Sequence, residues 1–135
     1  DTRTLAGAKA FFGSDFAFLS TYAHADYIAK NPAVVQAVVN GTVRALAWMQ
    51  TAKAEDILAA IPEDYWRAQR DLYLSTIRKG VGGFSPDGIV TPEAAKTVHD
   101  GLLSYDEEVK NAKLDLSKTY DNHFTMKANQ KYGKK

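Results

Sequence analysis

One segment of this chain is written for a β-strand, and the sequence holds no obvious second strand to pair with it. Residues 16–22, Phe-Ala-Phe-Leu-Ser-Thr-Tyr, are aromatic and β-branched over the usual length of a strand. Alternation puts Phe16, Phe18, Ser20 and Tyr22 on one face and Ala17, Leu19 and Thr21 on the other. A lone strand is not stable. Its partner must be a short extended piece near residues 83–90, a second copy, or chain outside these residues.

Most of the remainder reads as helix. Residues 4–12 suit a short helix that Gly13 stops, and a helical turn spans 24–30. Asn31-Pro32 opens the clearest helix, because Asn caps well and Pro is tolerated at the first helical position. Val35, Val38, Val39, Thr42, Leu46 and Met49 then recur at the spacing of one buried stripe. Gly41 weakens that helix, so close packing by a neighbour is expected there. Residues 54–60 form a helix with acids in the first turn, where the dipole favours them. Pro62 restarts a helix over 63–79, with Tyr65, Trp66, Gln69, Leu72, Tyr73, Thr76 and Ile77 on a broad apolar face. Gly80, Gly82 and Gly83 end it. Ser85-Pro86-Asp87-Gly88 is a turn, Pro presetting φ and Gly supplying a positive φ. Thr91-Pro92-Glu93 caps a helix to about residue 104, buried along Ala95, Val98, Leu102 and Leu103. Two short helices are expected at 116–120 and 124–131. The fold class is therefore mainly α with one or two short strands.

At 135 residues, 45% apolar and 24% charged, the chain is one domain's worth with an ordinary core. It has no cysteine, which removes disulfides, thiolate metal sites and cysteine nucleophiles. The longest uncharged stretch, 31–43, is too short and too polar to span a bilayer. Net charge is +1, so no global field draws it to nucleic acid. The charge is uneven: residues 1–109 carry 10 basic and 14 acidic side chains, residues 110–135 carry 7 and 2. The basic end has spaced lysines and no arginine, and reads as a solvated terminus.

Catalytic patterns are missing. His24, His99 and His123 have no metal-ligand spacing, so no metal and no cofactor is expected. Asp106-Glu107-Glu108 lacks a calcium-loop pattern and reads as a solvated helix end. The glycines at 80–83 end a helix, whereas a phosphate cradle opens one. No nucleophile elbow occurs. An enzyme is not expected. Ser20, Thr21 and Tyr22 are the candidate ligand-binding residues, because three successive hydroxyls at a strand end suit a small polar or anionic ligand. The plainer reading is a strand running into a capping turn.

Taken in order, the segments resemble a known family. Asp1-Thr2-Arg3-Thr4, Phe12-Gly13, the apolar strand, Ala-Asp-Tyr-Ile-Ala-Lys-Asn-Pro-Ala-Val-Val-Gln-Ala at 25–37 and Arg-Ala-Leu-Ala-Trp-Met at 44–49 look like the C-terminal part of solute-binding proteins of ABC importers. The nearest group is the nitrate/sulfonate/taurine type with its thiamine-precursor-binding relatives. Phe-Ser-Pro-Asp-Gly-Ile-Val-Thr-Pro-Glu at 84–93 and Tyr-Asp-Asn-His-Phe at 120–124 follow in the family's order.

The resemblance implies part of a two-lobed α/β periplasmic-binding-protein-like fold. Residues 1–22 would be the end of the second lobe and the returning crossover strand, and residues 23–135 the helical part of the first lobe, together one unit. Ser20, Thr21 and Tyr22 would lie near the hinge and cleft. The implied partners are a small-molecule solute, an ABC permease in the membrane, and the missing N-terminal portion or a second copy; the implied location is periplasmic. Asp1 would be an internal start. Two other readings compete. One is a self-contained helical interaction domain that dimerises through its N-terminal strand. The other, an enzyme of the related pyrimidine-synthesising branch, needs a cysteine-bearing site and ranks last.

Overall fold

A computed structural model describes residues 16, 17 and 19–133 of the chain. The helix expected over 4–12 and the Gly13 stop lie outside the described residues. Among the described residues seven α-helices occur in order: α1 Ala25–Lys30, α2 Pro32–Met49, α3 Ala54–Ala60, α4 Arg70–Gly80, α5 Pro92–Leu103, α6 Glu107–Asn111 and α7 His123–Tyr132. Single 3₁₀ turns occupy Glu63–Tyr65, Arg67–Gln69, Val81–Gly83 and Leu116–Lys118. The mainly helical expectation holds.

The strand does not. Residues 16, 17 and 19–22 belong to no helix or strand, and no strand occurs among the described residues. The reason is the missing partner: an extended segment with no ladder to join has only water for its backbone groups. The extended piece expected near 83–90 is also absent. Its place is taken by a 3₁₀ turn and the turn at 85–88.

By its internal contacts the chain divides into two compact units. One takes in the described residues up to Ala29 and Val90–Asn122; the other runs Lys30–Ile89 and continues from His123.

The second unit holds nearly all of the buried side chains. Helix α7 packs along α2, and α4 along α3. Val43 and Leu46 of α2, Ile57 and Leu58 of α3, Leu74 of α4, and Phe124 and Ala128 of α7 are buried. The stripe on α2 is therefore turned from the expected one. Val43 is 1% exposed whereas Val38 is 51% exposed, and Thr42 is exposed too. Gly41 is not closely packed, since a Cβ there would meet nothing within 4 Å. Gln36 ties the helix pair together, its Nε2 donating to Asn40 Oδ1 at 2.9 Å and to Phe124 O at 3.0 Å. The expected helix over 63–79 begins as two 3₁₀ turns, and α4 starts only at Arg70. Its broad apolar face is only partly covered: Trp66, Tyr73 and Ile77 are half-buried, whereas Tyr65 and Leu72 are 69% and 58% exposed. Trp66 instead anchors the entry, its Nε1 donating to Ile61 O at 2.9 Å.

The turn at 85–88 forms as the sequence requires. Gly88 adopts φ 72°. Its N–H donates to Ser85 Oγ at 2.8 Å, and the Ile89 N–H donates to Asp87 Oδ1 at 2.9 Å. Asn129 of α7 fixes the turn by donating from Nδ2 to Asp87 O at 2.8 Å.

In the first unit, Thr91 caps α5 by accepting from the Ala94 N–H at 3.1 Å, and Pro92 holds the first helical position. Ala94 is buried, and Ala95, Val98, Leu102 and Leu103 are half-buried on the expected side. Asp106 begins α6 rather than ending a helix, accepting from the Glu108 and Val109 N–H groups.

Candidate functional site

The three hydroxyl residues singled out by the sequence lie in the irregular segment before α1. Ser20, Thr21 and Tyr22 are all exposed, Tyr22 by 94%. Leu19 beside them is 79% exposed. They precede α1 directly, with no strand leading into them among the described residues. None of the three lines either the groove along α5 or the concavity between α2 and α7.

The larger polar constellation lies in the first unit, along α5. Lys96, His99 and Asp100 sit at i, i+3 and i+4 and so share one face of the helix. Pro92 and Ala95 continue that face, and Leu116, Ser117 and Tyr120 close an open groove of about 560 Å³ against it. Lys96 Nζ pairs with Asp100 Oδ2, and His99 Nδ1 lies 4.0 Å from Asp100 Oδ1. The groove's exposed surface is mostly apolar, with Lys96, His99 and Asp100 among its lining residues. Sequence reasoning passed over this group because it weighed His99 only as a metal ligand. The readable signal was the helical spacing of Lys96, His99 and Asp100.

At the groove's edge, Asp115 accepts from the Ser117 hydroxyl at 2.6 Å and from the Ser117 N–H at 3.1 Å. These bonds, with the nearby Lys118, hold its carboxyl below the usual aspartate value. The second concavity lies on the second unit, where Gly41, Arg44, Ala45 and Trp48 of α2 meet Tyr132 of α7. The Arg44 guanidinium stands 5.5 Å from the centre of the Tyr132 ring, and Lys131 Nζ stands 5.0 Å from it.

No group of three or more His, Asp or Glu side chains able to hold a metal ion occurs among the described residues. No helix among them is long and apolar enough to cross a membrane. Among the described residues the molecule is mainly helical, with an open concavity on each unit.

No family model matches the chain. No curated protein matches it. Among solved structures it is similar to one from Bordetella bronchiseptica RB50, described by its source and not by an activity. Identity is 35%, the TM-score is 0.82, and the match covers 98% of this chain and 42% of that one. The chain thus spans less than half the length of the protein it resembles in fold.

Proposed function

We propose that this chain is part of a substrate-binding protein that captures a small polar or anionic solute for ABC-type import. The observation that carries the reading is the order of the motifs at 25–37, 44–49, 84–93 and 120–124. The match of nearly the whole chain to a minor part of a longer one supports only that the chain is a share of a longer protein.

In this mechanism two lobes close about a hinge on the solute, excluding water and strengthening each hydrogen bond. The closed form then docks on a membrane permease from the periplasmic side. Ser20, Thr21 and Tyr22 would offer hydroxyls to the solute from the crossover, and their exposure leaves them available. No bond in the solute is made or broken, so neither catalytic residues nor a cofactor are needed. The competing reading, a helical domain paired through its N-terminal strand, finds no strand among the described residues to pair.

The test is titration calorimetry of the complete product of the encoding reading frame with nitrate, taurine and a pyrimidine. One solute should bind with 1:1 stoichiometry. At a hundred times its Kd it should stabilise the protein by about 2.7 kcal/mol. Absence of binding to every member of the panel, in a folded protein, would sink the reading. So would tight 1:1 binding by the 135-residue chain alone.

A further inference from the structure

Helix α2 is apolar on two opposite faces. At about 100° per residue, Val34, Val38, Gly41, Ala45 and Trp48 fall within about 40° of the line diametrically opposite Val43. Val43 is the most buried residue of the helix, whereas Val34, Val38 and Trp48 are 49%, 51% and 43% exposed, and Gly41 and Ala45 are exposed as well. The outer residues follow the alternating spacing of four and three that seams one helix to another. Arg44 is the single charged residue between Pro32 and Met49. A helix with apolar stripes on two faces can bury each against a different neighbour.

We infer that the outer face of α2 is an internal packing surface, covered in the complete protein by polypeptide beyond these 135 residues. That polypeptide brings apolar side chains to the stripe and a carboxylate to Arg44. The inference rests on the proposal that the chain is part of a longer protein.

Four observations say what covers the face. Gly41 has open space over it and forms a notch with Ala45, Trp48 and Tyr132, fit to receive a side chain from a neighbouring element. Arg44 has the Tyr132 ring beside it and no carboxylate within 4.0 Å among the described residues, so its counter-charge must come with the occupant. A second copy would be a poor fit. A twofold interface sets a patch against itself, and this patch holds Arg44 and Lys131 with no acidic residue on either α2 or α7. The similar solved chain is more than twice as long as the span matched here, so such polypeptide has a place to come from.

The chain lacks cysteine, which makes a single introduced thiol a clean probe. Ala45→Cys is made in the complete product of the reading frame and in the 135-residue chain, and labelling by a maleimide is timed with each parent as blank. Ala59→Cys, on an exposed position of α3, serves as control. The Ala45→Cys thiol should label within minutes in the 135-residue chain and at least 100-fold more slowly in the complete protein, with the control fast in both. Equally fast labelling in both overturns the inference. Protection in the 135-residue chain itself, with a doubled mass by light scattering, also overturns it in favour of a second copy. A reading frame that encodes nothing further overturns it outright. Protection in a complete protein that binds none of the solutes upholds the inference and removes only the transport reading. Should Ala45→Cys fail to fold by circular dichroism, Val38→Cys is read in the same way.

Discussion

The side-chain amide of Asn122 pairs with both backbone groups of Val90. Asn122 Nδ2 donates to Val90 O at 2.8 Å, and the Val90 N–H donates to Asn122 Oδ1 at 3.0 Å. One side chain thus does for Val90 what a neighbouring strand would do. The two residues also stand at the points where the chain passes between its compact units, after Ile89 and before His123. Both are half-buried, so water replaces these bonds poorly. Leaving buried partners unmade costs roughly 1–3 kcal/mol. Asn122→Ala should lower the unfolding free energy by about 2 kcal/mol in urea titrations. Asn122→Asp keeps the acceptor but sets a carboxylate oxygen against the Val90 carbonyl, and should cost no less at neutral pH. Losses below about 0.5 kcal/mol for both variants would show that the pairing contributes little.

Two glycines should respond in opposite directions to the same change. Gly88 sits at φ 72°, and a Cβ there would lie 3.2 Å from Leu46 Cδ1. Gly88→Ala combines left-handed strain with crowding and should cost about 1–2 kcal/mol or more. Gly41 lies inside α2 with open space over it. Gly41→Ala in the 135-residue chain should raise stability by up to about 1 kcal/mol. Paired thermal melts decide the matter; a destabilising Gly41→Ala would mean that a neighbour does pack there.

The register of the core is tested by two leucines. Leu58 is 2% exposed and Leu72 is 58% exposed. Leu58→Ala should cost about 2–5 kcal/mol, as buried leucines do. Leu72→Ala should stay within about 0.5 kcal/mol of the parent. Equal effects at the two positions would place Leu72 back on the buried face that the sequence pattern predicts.

Helices with strong local signals were legible in the sequence. Asn31-Pro32, Thr91-Pro92 and Ser85-Pro86-Asp87-Gly88 mark where α2, α5 and the turn begin, although the Thr91 side chain caps its helix and the Asn31 side chain does not. Which face of α2 is buried was not legible, because Val34, Val35, Val38, Val39 and Val43 spread apolar groups over half of the helix circumference. Only the packing of Phe124 and Ala128 on α7, far along the chain, selects Val43 and Leu46. The strand at 16–22 was misread for a related reason: strand propensity describes what a segment would do beside a partner, not whether one is present. The groove on α5 was half legible. The spacing of Lys96, His99 and Asp100 puts them together, but nothing local brings Leu116 and Tyr120 opposite them.

Two exposed carboxylates carry a pH signature of known sign. The carboxyl of Glu55 is held below its ordinary value of 4.5, first by a hydrogen bond from its own backbone N–H and then by Arg78. Asp115 is held below 3.8, first by the Ser117 hydroxyl and then by the Ser117 N–H. A group whose folded value is depressed adds stability above its unfolded value, and that stability is lost as pH falls through the folded one. Both groups therefore act in the acid range, below about pH 5, and leave stability flat near neutrality. Carboxyl carbon shifts followed by NMR from pH 7 to 2 should put both midpoints below those of unfolded peptides. Arg78→Met should bring the Glu55 midpoint only part of the way back, since the backbone bond survives the change. Ser117→Ala should raise the Asp115 midpoint, while the Ser117 N–H still keeps it low. Salt near 1 M, where screening acts within about 3 Å, should shrink the Arg78 share and spare the backbone share. A full return of Glu55 to its ordinary midpoint in Arg78→Met would assign the whole shift to the ion pair and deny the backbone bond its leading part.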